Sequence, residues 1–442
     1  MEFANHFFYY KGCYSDEVAL NIQYAAEILR TEDAASRRAR LGVFALFLGS
    51  QLHFDFIAQV YPVELVFLAI YVLNFSRFHR EKYIPWWITP TLMLWFVATL
   101  ISDLAAESDS VDSLKGALRV VFLFVDIIVI SSICNSRQRL LAAWWGLCCG
   151  WVISLIIQPN EYFAGDMWKW GFAIPVTLSL LLLFSKVDVV KGLSILCLAF
   201  LAAIHFGLGF RSLALVLFGA IIVLYFRLKS DRQANLLESA KFKVGKHRVA
   251  LVFFLVAATA TIATIVYDRL SLSGLLGAQA AAKASIQGSG LFGSLLSGRS
   301  EFLLSLDSIS RSFFLGHGSF SPPPADSFNT ASSFFADLGY SGVSNSYYNQ
   351  KLVYHSQILG STADNGILAS FFWIGLAIFL AKAVNDTLGQ SMSLAPLVSF
   401  VAMLGLWDIL FSPFGSDRRI MIGIAVATIL VARIKENRRP TE

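Results

Sequence analysis

The chain has 442 residues and a net charge of +5, and 56% of its residues are hydrophobic while only 15% are charged. Soluble domains usually carry about 25% charged residues, so this composition excludes an ordinary soluble globular protein. The basic residues are spread over many loops, which disfavours a nucleic-acid partner and indicates that membrane topology explains the net charge.

Apolar windows of about 20 residues recur along almost the whole chain, and an α-helix of that length crosses a hydrocarbon layer roughly 30 Å thick. The sequence therefore predicts an all-α, polytopic integral membrane protein with about twelve transmembrane helices. The predicted spans are 41–59, 61–76, 84–101, 116–134, 139–157, 168–185, 189–208, 211–228, 249–267, 364–382, 394–412 and 418–434. The chain then divides into an N-terminal segment, nine spans, one long loop, three further spans and a tail, at 1–40, 41–267, 268–363, 364–434 and 435–442.

Lysine and arginine are distributed unevenly over the predicted loops. The 227–248 loop carries seven basic residues against two acidic ones, whereas the 102–112 loop, SDLAAESDSVD, is acidic. Loops rich in Lys and Arg face the cytoplasm in helical membrane proteins. If the spans are as predicted, both termini are cytoplasmic and the 268–363 segment lies on the outer side.

A structureless loop as long as 268–363 is improbable unless it is functional or partly folded. Part of it, GRSEFLLSLDSISRSFFLGHG at 298–318, has the pattern of a helix. Apolar residues recur there at steps of four, three and four, at Phe302, Leu306, Ile309 and Phe313. Two glycines, Gly316 and Gly318, are expected to end this helix. We expect its apolar face to lie against the membrane surface or the helix bundle.

Three ionisable residues stand out on the predicted outer side. Arg211 opens a span, Arg299 opens the surface helix and His355 precedes the tenth span. Both arginines run against the positive-inside bias, and an ionisable group at membrane depth is costly enough to indicate a function. Each residue also has a structural interpretation, as a snorkelling arginine, a solvated helix-start arginine and a satisfied polar histidine respectively.

Further ionisable residues lie close to the predicted spans. Arg418 and Arg419, in the short outer turn SPFGSDRR, either bind an anion or lie at the surface. The others are either paired structural groups or parts of a polar path, with structural pairing favoured: Glu64, Asp126, Asp408, His53 and Asp55.

The signals of nucleotide and metal chemistry are missing from the sequence. There is no phosphate-cradling glycine-rich loop with a lysine, and no His, Cys or carboxylate cluster with metal-ligand spacing, so we expect neither a cofactor nor a metal. Guanidinium groups bind diphosphate oxygens through paired hydrogen bonds, and a neutral histidine accepts a proton from a hydroxyl. Arginines and a histidine at the outer face therefore favour glycosyl transfer from a lipid-linked diphosphate, which supplies its own leaving group.

Three stretches, in this order, resemble the O-antigen ligase and O-antigen polymerase family of bacterial envelope biogenesis. GFRSLALVLFGA (209–220) is similar to the arginine-led helix start of that family, and SGRSEFLLSLDSISRSFFLGHGSF (297–320) to its Gly-Arg helix ending in Gly-x-Gly-x-Phe. HSQILGSTADNGILASFFW (355–373) is similar to its His-Asn/Ser-x-x-Leu motif and the glycine-marked helix that follows. The resemblance covers about residues 195–382. It departs from the family pattern at Asp364-Asn365 and at Ala369, which replaces a glycine.

The resemblance implies a metal-independent, inverting glycosyltransferase of the bacterial inner membrane, with a periplasmic active site and an undecaprenyl-diphosphate-linked oligosaccharide as donor. His355 would activate the acceptor hydroxyl, and Arg211 and Arg299 would hold the donor diphosphate. Further candidates for substrate binding are Arg418, Arg419, His317 and Tyr354, of which His317 competes for the role of base and Tyr354 is an aromatic platform for a sugar ring. The implied partners are this donor, a glycan acceptor, membrane lipid and a chain-length regulator.

Polymerase and ligase activity share this chemistry and differ in the acceptor, which is another lipid-linked repeat or the lipid A core. The sequence favours the polymerase slightly and leaves the ligase open. A flippase or transporter for lipid-linked glycans also stays open, although transporters commonly show repeated halves and midplane sites. A purely structural scaffold would not need Arg211 in the membrane.

Overall fold

The computed structural model describes most of the chain, and the helices are its main elements. The described residues are 35–55, 59–80, 84–159, 162–186, 191–236, 247–275, 277, 281, 301–324, 326–330, 333, 354–389 and 394–434. Arg299 and the aromatic residues between 334 and 348 lie outside these ranges.

Fifteen helices, numbered here in chain order, make up most of the described residues, and a further helical turn lies at 326–330. They are α1 (35–48), α2 (Pro62–Leu73), α3 (Phe75–Arg80), α4 (Ile88–Ala105), α5 (Ser110–Ile133), α6 (Arg137–Ile157), α7 (Ala173–Lys186), α8 (Lys191–Gly207), α9 (Arg211–Leu236), α10 (His247–Leu272), α11 (Glu301–Arg311), α12 (Gln357–Asn365), α13 (Ile367–Gly389), α14 (Ala395–Phe411) and α15 (Ser416–Ile434). Shorter elements are a 3₁₀ turn at Gly49–Gln51, a π-helical turn at Trp168–Phe172, and an antiparallel hairpin of β1 (Phe54–Asp55) and β2 (Gln59–Val60).

Seven helical segments among the described residues are long and apolar enough to cross a membrane. They are Ile88–Ala105, Ser110–Ile133, Arg137–Ile157, Trp168–Ser185, Arg211–Ser230, Val249–Leu272 and Ile367–Gly389. Shorter apolar helices lie at Pro62–Leu73, Gly192–Gly207 and Ala395–Phe411. The prediction of a helical membrane protein is confirmed at this level, while the number of twelve spans stays a prediction.

The first predicted span, 41–59, is wrong as a continuous helix. The α1 helix ends at residue 48, and the chain then passes through the 3₁₀ turn into the hairpin. Gln158 stabilises this irregular backbone, because its side-chain carbonyl accepts from the His53 N–H at 3.1 Å and its amide donates to the His53 carbonyl at 2.8 Å. The backbone N–H and carbonyl of His53 are thus satisfied outside a helix.

Two other predicted spans are interrupted. The 61–76 segment breaks at Asn74, whose side-chain amide donates to the Ile70 carbonyl at 2.9 Å and closes α2 after 12 residues. A helix of that length is about 18 Å long, which is shorter than the hydrocarbon layer. The 364–382 segment breaks at Gly366, so α13 begins at Ile367 and the residues before it form the separate helix α12.

The helix predicted over 298–318 exists, but its end differs from the prediction. Within the described residues it ends at Arg311, and its buried side chains are Leu304, Ser305 and Ser308. On the predicted face, Phe302 and Ile309 are half-buried, whereas Leu306 is 43% and Phe313 45% exposed. That this face lies against the membrane surface or the helix bundle stays a prediction. α11 packs on α12.

The buried core places α12 between several long helices. α5 packs against α2, α4 and α15, and α13 packs against α4, α9 and α14, while α12 contacts α4, α11, α13 and α14. An aromatic cluster fills the space beside α12. Its members, with ring centroids 5.0 to 5.8 Å apart, are Trp95, Phe372, Trp373 and Phe414.

Candidate functional site

The first turn of α12 fixes the position of His355. Ser356 caps the helix, since its hydroxyl accepts from the Leu359 N–H at 3.3 Å. The same hydroxyl donates to the Ile409 carbonyl near the end of α14, at 3.1 Å. His355 is half-buried and directly precedes this cap. The histidine is therefore held at a junction that is tied to two helices.

The last turn of α12 is anchored by an arginine that lies inside a predicted span. Arg119 on α5 forms an ion pair with the Asp364 carboxylate at 3.2 Å, and the two side chains are only 10% and 9% exposed. Asn365 Oδ1 accepts from Trp95 Nε1 at 3.1 Å and from Arg119 Nη2 at 3.4 Å. The Ser102 hydroxyl donates to the Asp364 carbonyl at 2.7 Å. These bonds tie the end of α12 to α4 and α5.

The environment of Asp364 opposes its ionisation. Burial raises the pKa of this carboxyl to about 6, although the neighbouring Arg119 guanidinium acts in the opposite direction. The guanidinium itself lies among aromatic rings, with its Cζ 5.0 Å from the Phe320 centroid and 5.9 Å from the Trp95 centroid. Because both charges are almost fully removed from water, the pair is sensitive to the loss of either partner.

The segment that follows α11 wraps closely around the end of α12. The His317 N–H donates to the Ala363 carbonyl and the Gly318 N–H to the Asp364 carbonyl, both at 2.9 Å. Gly316 and Gly366 have φ values of 74° and 75°, which favour glycine. A Cβ atom on Gly366 would collide with the Phe314 backbone. Both glycines are thus required by conformation and by close backbone approach.

His317 and Tyr354 both contact Ser308 of α11. His317 Nε2 is 2.8 Å from the Ser308 carbonyl oxygen, and because a carbonyl only accepts, this nitrogen carries the proton and donates it. The Tyr354 ring is 7% exposed and packs near Gly360, with its hydroxyl 3.4 Å from the Ser308 hydroxyl. Burial, assisted by the Asp364 charge, raises the pKa of Tyr354. The ring is covered in this structure, and its stacking on a sugar stays a prediction.

A narrow cleft lies next to the first turn of α12. Its walls are apolar residues of α13, α14 and α15, including Leu376, Leu380 and Leu404, and its polar lining residues are Gln357, Asp408 and Arg418. Gln357 is 2% exposed, and its Nε2 has no hydrogen-bond partner among the residues that the structure describes. The cleft thus combines an apolar wall with an unused amide donor two residues from His355.

The two neighbouring arginines of α15 have different surroundings. Arg418 borders the cleft and donates from Nη1 to Asp408 Oδ2 at 2.8 Å. Arg419 is 6% exposed and binds both oxygens of Glu64, at 2.6 and 2.8 Å. Glu64 thus occupies the Arg419 guanidinium in this structure, and anion binding by Arg419 stays a prediction. The structural pairing that the sequence favours for two of the acids is present, since Glu64 pairs with Arg419 and Asp408 pairs with Arg418.

Arg211 contacts the ring of Tyr267. It begins α9 directly after the α8–α9 turn, where Gly209 has a φ of 79°. Its Cζ is 4.4 Å from the Tyr267 ring centroid on α10, a cation–π distance. The structure thus pairs Arg211 with α10, whereas Arg418 borders the cleft beside the first turn of α12. Arg299 is not among the described residues, so its predicted role stays a prediction.

Two residues of this site were missed by the sequence reasoning. Arg119 lies within the predicted 116–134 span, so the cost of a charge at membrane depth, which drew attention to Arg211, applied to it equally. Gln357 offered no such signal, because an uncharged amide in the motif HSQILG is ordinary until its surroundings are known.

Comparison of the chain with protein-family models, with curated proteins and with solved structures found no match in any of the three.

Proposed function

We propose that the protein is a membrane-embedded glycosyltransferase that moves a polyprenyl-diphosphate-linked glycan onto a sugar hydroxyl at the periplasmic face of a bacterial inner membrane. In this proposal the chain is multi-pass with about twelve spans and both termini cytoplasmic, and 268–363 forms a large, partly helical periplasmic loop. The observation that carries the proposal is the apolar cleft beside the first turn of α12, the helix whose cap directly follows His355, with Gln357 and Arg418 among its polar lining residues.

The cleft has the chemistry that an amphiphilic donor requires. A polyprenyl chain needs an apolar wall, whereas the diphosphate and sugar need hydrogen-bond donors at one end of it. Leucines of α13 and α14 supply the wall, and the Gln357 amide and the Arg418 guanidinium supply donors. A guanidinium matches diphosphate oxygens better than an ammonium does, because it presents two parallel N–H bonds.

The transfer requires one base and a stabilised leaving group. His355 takes the proton of the acceptor hydroxyl, and the oxygen attacks the anomeric carbon from the face opposite the diphosphate. The bond between that carbon and the diphosphate oxygen breaks, the electron pair leaves with the diphosphate, and the configuration inverts. Arg418 and the predicted ligands Arg211 and Arg299 offset the negative charge that develops on the leaving group.

The packing of α9 on α14 supports a role for Arg211 at this site. A side chain on Gly219 would meet Met403 of α14. Gly219 is eight residues after Arg211, and Met403 is eight residues before Phe411, so each end lies about 12 Å from this contact. The predicted topology runs the two helices in opposite directions. Arg211 then lies at the level where α14 receives Ser356, next to His355.

Polymerase activity is our first assignment and ligase activity the alternative, since the two share every step above. The second candidate of another class is a flippase for the same lipid-linked glycans. The observation that favours it is Asp126, a fully buried acid in α5, because intramembrane carboxylates often mark transport pathways. The flippase has no use for a histidine held beside the cleft.

Deletion of the gene in its host separates these activities, with surface glycan and lipid-linked intermediates analysed on gels. Loss of a polymerase leaves single repeats on the lipid A core. Loss of a ligase leaves bare core and long undecaprenyl-linked chains. Loss of a flippase leaves lipid-linked single repeats that an externally added glycosidase does not reach in intact spheroplasts. Unchanged surface glycan and unchanged intermediates would contradict the proposal.

A further inference from the structure

Asp126 is a buried acid that the proposed transfer does not use. It lies in α5, one of the segments long and apolar enough to cross a membrane, and its side chain is 0% exposed. Neither of its carboxyl oxygens has a hydrogen-bond partner among the described residues. A buried carboxyl without a partner is costly when it is ionised and much less so when it is neutral.

The charged neighbours of Asp126 come from two other helices. Glu64 of α2 and Arg419 of α15 lie within electrostatic range of its carboxyl. Arg419 Cζ lies 5.6 Å from the ring of Phe122, one helical turn before Asp126. A Cβ atom on Gly423, one turn after Arg419, would lie 3.1 Å from the Asp126 carbonyl oxygen. Three helices, α2, α5 and α15, therefore meet at one junction of two acids and one guanidinium.

The charges at this junction do not balance. Arg419 binds both oxygens of Glu64 in a two-pronged contact that engages its positive charge. Tyr61, a further titratable group near Arg419, is a phenol and adds no positive charge. An ionised Asp126 would leave one net negative charge among residues that are at most 6% exposed. One bound proton removes this imbalance, and Asp126 is the acid without a partner.

We infer that Asp126 is a proton-binding site inside the helix bundle, which holds its proton at neutral pH and makes the α2–α5–α15 junction dependent on it. Loss of the proton places a second carboxylate in competition with Glu64 for Arg419. Arg419 adjoins Arg418, so this competition disturbs the turn of α15 that borders the cleft. The native state holds one proton more than the unfolded state, so the stability of the junction falls as the pH rises.

Isotope-edited infrared spectroscopy detects this proton directly. The purified full-length protein in lipid nanodiscs is prepared with aspartate carrying ¹³C in its side-chain carboxyl, at pH 8, where Asp364, with its pKa of about 6, is ionised. We expect a carbonyl band of a protonated aspartic acid that is present in the wild type and absent in Asp126→Asn. Asp417→Asn, which changes a 41% exposed aspartate two residues from Arg419, is the control and should keep the band.

Two outcomes overturn the inference: a wild-type spectrum without an aspartic-acid band at pH 8, and a band that survives Asp126→Asn. If Asp126→Asn does not fold, Asp126→Glu keeps the acid and moves the band from the labelled to the unlabelled position. Thermal unfolding gives an independent check. The wild-type Tm should fall between pH 7 and pH 9 relative to that of Asp126→Asn, and parallel curves would contradict the bound proton.

Discussion

At the scale of single residues, the ion pair of Arg119 and Asp364 holds the end of α12 and so positions the whole segment that begins at His355. Burial raises the pKa of Asp364 to about 6 from its ordinary value of 3.8. Between these values the native state binds more protons than the unfolded state. The proton on Asp364 therefore contributes its full stabilisation of the native state below about pH 4. This contribution is lost as the pH rises through 6.

Asp364→Asn removes this titration and leaves an amide that accepts a hydrogen bond from Arg119. Whatever the substitution costs at pH 4, the stability difference between the two proteins should shift in favour of the variant as the pH rises from 4 to 7, by up to about 3 kcal/mol. The measurement is thermal unfolding of both proteins in detergent at several pH values. A difference in Tm that is constant across this range would show that Asp364 does not titrate as described.

Arg119→Leu removes the partner of a buried acid and should destabilise the protein by about 3–5 kcal/mol. Addition of Asp364→Asn should recover part of this loss, because a neutral amide is less costly to bury than a carboxylate. Lys115→Leu, one turn earlier on α5, is the matched control: its contact with Asp112 is longer, at 3.7 Å, and its side chain is 27% exposed. The control should cost at most about 1 kcal/mol. If the changes in stability caused by Arg119→Leu and Asp364→Asn were simply additive, the two side chains would not be energetically coupled.

At the scale of secondary-structure elements, α12 is a helix of nine residues fixed at both ends, and its separation from α13 depends on Gly366. Hydropathy and motif reasoning placed a helix start in this region but joined Asp364 to the span that follows. The break became visible only with the structure, because it depends on the Phe314 backbone, which approaches from a segment distant in sequence.

Gly366→Ala should destabilise the protein by about 2–4 kcal/mol, because alanine is strained at a φ of 75° and its Cβ meets the Phe314 backbone. Gly42→Ala in α1 is the control, since Gly42 is helical and a Cβ there has no neighbour within 4 Å. It should be neutral or stabilising by up to about 1 kcal/mol. Thermal unfolding of the two variants gives the comparison, and equal Tm values would refute the role of Gly366.

At the scale of the whole molecule, composition and periodicity were sufficient for the class of helical membrane protein and for the positions of most long helices. They were insufficient where polar groups determine the structure, as in the hairpin after α1 and in the anchoring of α12 by Arg119. Hydropathy reports how favourably a segment is buried in lipid but not which buried polar groups find each other. For this reason the sequence does not distinguish Arg418 from Arg419, although the first pairs with Asp408 and the second with Glu64.

The predicted topology has a direct test. Reporter fusions after residue 240 should be active in the cytoplasm and fusions after residue 330 in the periplasm, because the first lies in a basic loop and the second in the long segment. The opposite pattern would place His355 on the cytoplasmic side and remove the proposed reaction from the outer leaflet.

The central claim is that His355 is the base of a glycosyl transfer. The measurement is the rate of glycan transfer by purified protein from an undecaprenyl-diphosphate-linked donor to an acceptor, in excess EDTA, for the wild type and two histidine variants. A general base contributes about 10²–10⁴-fold, so His355→Ala should lose activity by that factor while donor binding is kept. His317→Ala should retain much of the activity, since the Nε2 of His317 is engaged by the Ser308 carbonyl. Transfer by His355→Ala at the wild-type rate, or no transfer by the wild type in EDTA, would contradict the account.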